Sequence, residues 1–182
     1  FIERSSSMKS NKLFVLSVLL VLVTSCGIYS FNGASIDYNE TKTISIANFI
    51  NESGGGPPNM GNTFTEGLKE YFQRRTKLEL VQKQGDIQFE GAIANYTVRP
   101  QSISSSGNSN QADGTGLMRL SISVQLVFTN TKKEEENLQQ AFTFFSDYDP
   151  ANTTLNAVED DLVVEIFEQL YFDIFQASVA QW

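Results

Sequence analysis

Between residues 117 and 129 the chain alternates. Leu120, Ile122, Val124, Leu126 and Phe128 are apolar, while Ser121, Ser123, Gln125 and Thr129 are polar. A side-chain period of two marks a strand with one buried and one wetted face. Such a strand belongs in an antiparallel sheet that is covered on one side only, so another part of the chain must supply the cover. The carboxy-terminal segment fits. Leu155, Val158, Leu162, Ile166, Leu170 and Ile174 recur at helical spacing, and Val163, Phe167, Tyr171 and Phe175 widen the stripe. Asn156 with Glu159 is expected to cap this helix, and Asp160 and Asp161 favour the positive end of its dipole.

The rest of the chain follows the same logic. Residues 43–49 read as a first strand, partly alternating and β-branched. Gly54, Gly55, Gly56, Pro57 and Pro58 form a turn region that lacks P-loop spacing. A helix follows, with Thr63 and Glu66 as a capping box and Phe64, Leu68, Tyr71 and Phe72 as its buried stripe. Arg74, Arg75 and Lys77 complement its carboxyl end. Residues 78–81 read as a short second strand and residues 87–98 as a long third. In the third, Ile87, Phe89 and Ile93 share one parity, while Ala94, Tyr96 and Val98 take the other. That switch requires a bulge, and Gly91 is the expected place. Arg99 and Pro100 should end the strand. Residues 101–116, rich in Ser, Asn and Gly, form a loop too polar to order itself. After the alternating strand, residues 131–137 make a charged turn, and residues 138–148 a fifth strand with Gln140, Phe142 and Phe144 on one face. Asp147 and Asp149 read as turn chemistry, because a calcium loop needs a glycine and a distal glutamate that are missing. The expected fold is α+β: a two-layer sandwich, with two helices on one face of a mixed, mostly antiparallel sheet of four to five strands. Strands three to five should form a meander.

Ahead of this domain lies a different kind of segment. Met8, Lys9 and Lys12 begin a short positive stretch. Residues 13–23 are apolar but fall short of the ~20 that span a membrane. Thr24, Ser25 and Cys26 then follow Val23. A branched residue, two small ones and a cysteine resemble the lipobox of bacterial lipoproteins. That resemblance implies cleavage between Ser25 and Cys26 and lipid on the Cys26 thiol. Two or three acyl chains anchor effectively permanently where one does not. The expected organisation is a removed leader over 1–25, a lipidated tether over 26–40 and one α+β domain over 41–182. Residues 1–7 precede Met8 and read as an over-long start. Gly27, where an Asp would signal inner-membrane retention, points to the periplasmic face of the outer membrane.

Thirteen basic against twenty-one acidic residues give a net charge of −8. Loss of Glu3, Arg4, Lys9 and Lys12 with the leader removes three cations and one anion, which takes it to −10. Such a surface argues against a nucleic-acid partner. With Cys26 lipidated, no disulfide and no cofactor beyond that lipid is expected. Histidine is absent, so the commonest general base and metal ligand are missing together. No Ser-His-Asp or Cys-His set exists, and the expectation is a protein without catalytic residues or a metal site.

Several stretches, taken in order, carry a closer resemblance. They are residues 26–33 (CGIYSFNG), 64–69 (FTEGLK), 85–91 (GDIQFEG), 128–130 (FTN) and 145–148 (FSDY), with the terminal helix running toward Trp182. Together they resemble the LptE-like lipopolysaccharide-assembly lipoproteins of the Bacteroidetes type. The resemblance implies two helices on a four-stranded sheet and an outer-membrane, periplasm-facing lipoprotein. It implies a large outer-membrane β-barrel as partner, which the protein plugs, with lipopolysaccharide as a further candidate ligand. The acidic charge departs from the basic lipopolysaccharide-binding members of the proteobacterial branch. Arg99 and Arg119, flanking the polar loop, are the candidate contacts for lipid phosphate. The alternative is a general periplasmic scaffold, chaperone or small-ligand module of another envelope complex.

Overall fold

The computed structural model describes residues 36–101 and 116–180. Ser25, Cys26, the leader, loop residues 102–115 and Trp182 lie outside the described residues. The elements are β1 (Thr43–Ile46), β2 (Ile50–Asn51), α1 (Met60–Arg75), β3 (Glu79–Val81), β4 (Ile87–Gln101), β5 (Leu117–Asn130), a 3-10 turn (Glu134–Glu136), β6 (Leu138–Tyr148) and α2 (Leu155–Ser178). They build a six-stranded sheet of order β3-β1-β4-β5-β6, with β2 paired to β4 beyond the end of β1. β1 is parallel to both β3 and β4, and β4, β5 and β6 form the antiparallel meander. The fold is α+β, with one strand more than expected. The first strand breaks in two because the chain leaves β4 after Ala47, whose N–H still donates to the Phe89 carbonyl at 2.9 Å, and turns Phe49 into the core, where it is 2% exposed.

The parity switch in β4 occurs, but at Ala94 rather than Gly91. Ile93 faces Val124 and Asn95 faces Ser123, so Ala94 is the extra residue. The shift returns Tyr96 and Val98 to the side of Ile122 and Leu120, where they pack against the core. Gly91 has another task. A side chain there would run into the Phe49 ring and the Gln125 carbonyl. β4 also continues through Pro100 to Gln101.

Both helix starts differ from expectation. α1 begins at Met60, not after Thr63, and neither helix has a side-chain cap. Burial of Met60, 1% exposed, and the close approach of Gly61 to the Phe49 carbonyl extend α1 backward. Glu66 pairs with Lys69 at 2.8 Å instead of capping. Thr65 joins the layers: its hydroxyl donates to the Gly61 carbonyl at 2.7 Å and accepts from the Phe49 N–H at 2.9 Å. In α2 the start shifts to Leu155, and Glu159 accepts a hydrogen bond from the Tyr96 hydroxyl rather than capping. Burial first and Glu159 second raise the Tyr96 pKa.

Aromatic rings fill the space between the layers. Phe64 meets Phe49 and Phe167 at 5.0 Å each, and Phe72 meets Phe89 at 4.8 Å and Phe175 at 5.4 Å. Phe89 continues to Phe128 at 5.1 Å. Edge-to-face and tilted pairs of this kind contribute about 0.5–1.5 kcal/mol beyond the area they bury. Gly67 lets the two helices approach: a Cβ there would lie 2.3 Å from the Tyr171 hydroxyl.

Asp86 ties one end of the sheet together. Its Oδ2 accepts from the Lys42 N–H at 2.9 Å, the Thr43 N–H at 3.1 Å and the Thr43 hydroxyl at 3.0 Å. Oδ1 meets the Lys132 ammonium at 3.0 Å, and the Asp86 carbonyl accepts from the Thr131 N–H at 2.8 Å. The Lys42 N–H above all, with Lys132 and Thr43, holds this carboxyl well below the usual carboxylate range, against a smaller opposing effect of burial.

Two outcomes are expected. Gly67→Ala gains helix propensity but overpacks against Tyr171, and should lose about 1–3 kcal/mol in urea unfolding; adding Tyr171→Phe should restore part of the loss. Asp86→Asn should lose about 2 kcal/mol at neutral pH. Because the folded-state pKa is depressed, the wild-type advantage is complete above the unfolded carboxylate value and fades as pH falls below about 4. Urea midpoints of the two proteins measured against pH should therefore converge only in acid.

Candidate partner-binding face of the sheet

Both helices lie on one face of the sheet, as the burial of alternate residues shows. Leu120, Ile122, Val124, Leu126 and Phe128 are at most 1% exposed, and their neighbours in β5 are not buried, Asn130 at its end excepted. The helix-free face is therefore built from the other parity. Register places its residues in cross-strand rows over β4, β5 and β6: Thr97, Ser121 and Phe145, then Asn95, Ser123 and Thr143, then Ala92, Gln125 and Ala141. Ser123 and Thr143 share a hydrogen bond of 2.5 Å between their hydroxyls. Small and polar side chains make most of this face wettable. Its exposed large apolar residues among those described are Val127, Phe145 and Ile50, the register partner of Ala92. β5 spans roughly 45 Å at the usual rise of a strand.

Arg99 and Arg119, chosen from sequence because they flank the polar loop, are direct register partners on this face. Asp147 on β6 completes the row opposite Arg119. The two cations differ sharply in environment. Arg119 forms a two-pronged pair with Asp147, Nε to Oδ1 and a terminal nitrogen to Oδ2, both at 2.7 Å. Its guanidinium also lies 3.5 Å from the centre of the Phe145 ring. The hydrogen bond lowers the Asp147 pKa and raises that of Arg119. Asp147 is thus a ladder residue and an ion-pair partner, not turn chemistry; Asp149 supplies the turn, accepting from the Ala151 N–H at 2.9 Å. Arg99 is exposed and has no ion-pair partner among the described residues. Like charges directly opposite repel, and Asp147 answers only one of the two. The cation at this end that remains available to an anion is Arg99.

Other concavities are shallower in chemical content. A cavity of about 40 Å³ near Ile36, Thr41 and Ser178 is large enough for water and little else. An open depression of about 830 Å³ lies where β1 leaves β4, bordered by Lys69 and Lys83. Among the described residues, no group of three His, Cys, Asp or Glu is placed to hold a metal ion, and no helix is long and apolar enough to cross a membrane. The Arg119–Asp147 pair escaped sequence reading because the β5–β6 register decides it; the charged turn between the strands was the available signal.

These environments predict different consequences for the two arginines. Arg119→Ala should lower the urea midpoint, since it leaves Asp147 unpaired and uncovers Phe145. Arg99→Ala should leave the midpoint unchanged.

Residues 41–178 match the family described as LptE, lipopolysaccharide-assembly. A sequence comparison with curated proteins gives no significant match. Among solved structures, the hypothetical protein CT253 from Chlamydia trachomatis superposes with a TM-score of 0.50 at 8% identity, over 78% of this chain and 99% of that one. A minor lipoprotein from Acinetobacter baumannii gives 0.48 at 17% identity, over 76% and 93%. Lipoprotein B from Nitrosomonas europaea gives 0.45 at 14%, over 76% and 83%. At these identities the likeness concerns the fold alone. The family match covers more than half of the sequence, and the chain belongs to the LptE lipopolysaccharide-assembly family.

Proposed function

We propose that this protein is a non-enzymatic, lipid-anchored subunit of the outer-membrane lipopolysaccharide translocon that fills the lumen of a partner β-barrel. The helix-free sheet face carries the reading. The inside of a large outer-membrane barrel is polar and wet. A face mostly of Ser, Thr, Asn, Gln and Ala, with scattered apolar residues, suits that wall better than it suits acyl chains. The meander is also long enough: roughly 45 Å of β5 exceeds the ~25 Å apolar band of such a barrel. Family membership supports the role in lipopolysaccharide assembly.

In this reading Cys26, exposed by cleavage after Ser25, holds the protein to the periplasmic face of the outer membrane. The tether 26–40 links it to the domain 41–182. Direct glycolipid contact is narrow, because a net charge of −10 after loss of the leader opposes anionic lipid over most of the surface. Arg99 would bind a lipid phosphate, with Arg119 beside it, held in place by Asp147. The functional requirement is positioning and filling of space, and no reacting group is needed.

Detergent extraction followed by affinity purification and mass spectrometry should recover a large β-barrel protein in stoichiometric amount, and intact mass should show acyl chains on Cys26. Recovery of another envelope complex without a barrel would favour the scaffold alternative instead. Arg99→Glu with Arg119→Glu should weaken binding of purified lipopolysaccharide while leaving barrel recovery intact; unchanged binding would remove these residues from the site.

A further inference from the structure

The two edges of the sheet are unlike. β3 ends one side with three residues, too short to invite another strand. β6 ends the other with eleven residues, paired to β5 without a register shift from Leu138 to Tyr148. In an antiparallel ladder every second residue of an edge strand points its N–H and C=O outward. Soluble proteins normally blunt such an edge with lysine, proline or a bulge. β6 has none of these, and its one charged residue, Asp147, is taken by Arg119.

The surroundings of this edge say what fits it. β6 is the strand beneath α2: the Ser146 hydroxyl donates to Glu165 at 2.7 Å. Phe144 of β6 borders a depression of about 690 Å³ together with Val164, Glu165, Glu168 and Phe172 of α2. Val164 is 53% and Phe172 44% exposed, and Phe145 on the opposite side of β6 is 42% exposed. α2 carries Glu159, Asp160, Asp161, Glu165, Glu168 and Asp173 and no Lys or Arg. Among the described residues none of the six pairs with a cation. Arg74 and Arg75, which reach the same depression from α1, are already engaged, with Glu70 at 3.0 Å and on the Tyr71 ring at 4.0 Å.

We propose that the outer edge of β6 receives an extended, cationic segment of a partner protein, added as a seventh strand. Main-chain hydrogen bonds to β6 supply affinity. Alternate side chains supply specificity: lysines or arginines on the helix side meet the α2 carboxylates, and apolar residues on the other side lie against Phe145. A second copy of this chain is the wrong occupant. Pairing β6 with itself about a twofold axis would set one α2 beside the other, carboxylates against carboxylates. The inference does not depend on the barrel reading, since the edge and its charge stand whichever complex the protein serves.

The test is hydrogen–deuterium exchange of the full chain in nonionic detergent with two synthetic peptides, one alternating valine and lysine, the other valine and glutamate. The lysine peptide should slow exchange in β6 and not in β3, and should bind at least about tenfold more tightly than the glutamate peptide. Asp161→Lys with Glu168→Lys should narrow or invert that preference, although the wild-type comparison suffices by itself. Equal binding of both peptides, slowing at β3, or no slowing at all would overturn the proposal. So would concentration-dependent protection of β6 without any peptide, which would identify a second copy as the occupant.

Discussion

Contact between aromatic rings across two layers holds this domain together. Phe128 and Phe89 rise from the sheet to Phe72, and Phe72 meets Phe175, so β5, β4, α1 and α2 are joined by one run of rings. Phe49, Phe64, Phe167 and Tyr171 form a second run beside it. No disulfide joins the described elements, so packing must offset the entropy of ordering them. The other local features serve this contact. The Ala94 bulge keeps Tyr96 and Val98 on the packed side, Gly91 makes room for Phe49, and Gly67 lets Tyr171 reach α1.

Because both helices cover the same face, the domain has a dry side and a wet side with separate chemistry. The dry side is aromatic and aliphatic. The wet side is mostly hydroxyls and amides, with Ile50, Val127 and Phe145 exposed among them and a charged row, Arg99, Arg119 and Asp147, at one end. Asp86 and its partners close the opposite end, where β1, β4 and the β5–β6 turn meet. The acidic α2 adds a third surface, and its carboxylates, without a cationic partner among the described residues, keep the outer side of the helix layer distinct from both faces of the sheet.

Much of this was legible in the chain. The period-two pattern of residues 117–129 and the helical stripe of residues 155–175 fixed the two layers, and the parity change in β4 demanded a bulge. What stayed hidden depended on distant partners. Gly91 looked like the bulge because its real constraint, the Phe49 ring, lies far away in sequence. Thr63 looked like a cap because nothing local reveals that Met60 is buried. The parallel pairing of β1 with both β3 and β4 leaves no local signature. Arg99 and Arg119 were found through the loop they flank, but their difference was not, since the strand that carries Asp147 follows later in the chain.

One-sided coverage also divides what the sequence must remember. On β4, β5 and β6, alternate positions answer to the slab of rings beneath α1 and α2. The intervening positions answer to one another, as Arg119 does to Asp147 and Ser123 to Thr143, and to whatever lies outside the molecule. Cores tolerate exchange of hydrophobic residues when volume and pattern are kept, so even the inner positions require a class of residue rather than an identity. Such a fold can be written in very different letters, and a superposition with a TM-score of 0.50 at 8% identity is a likeness of fold alone.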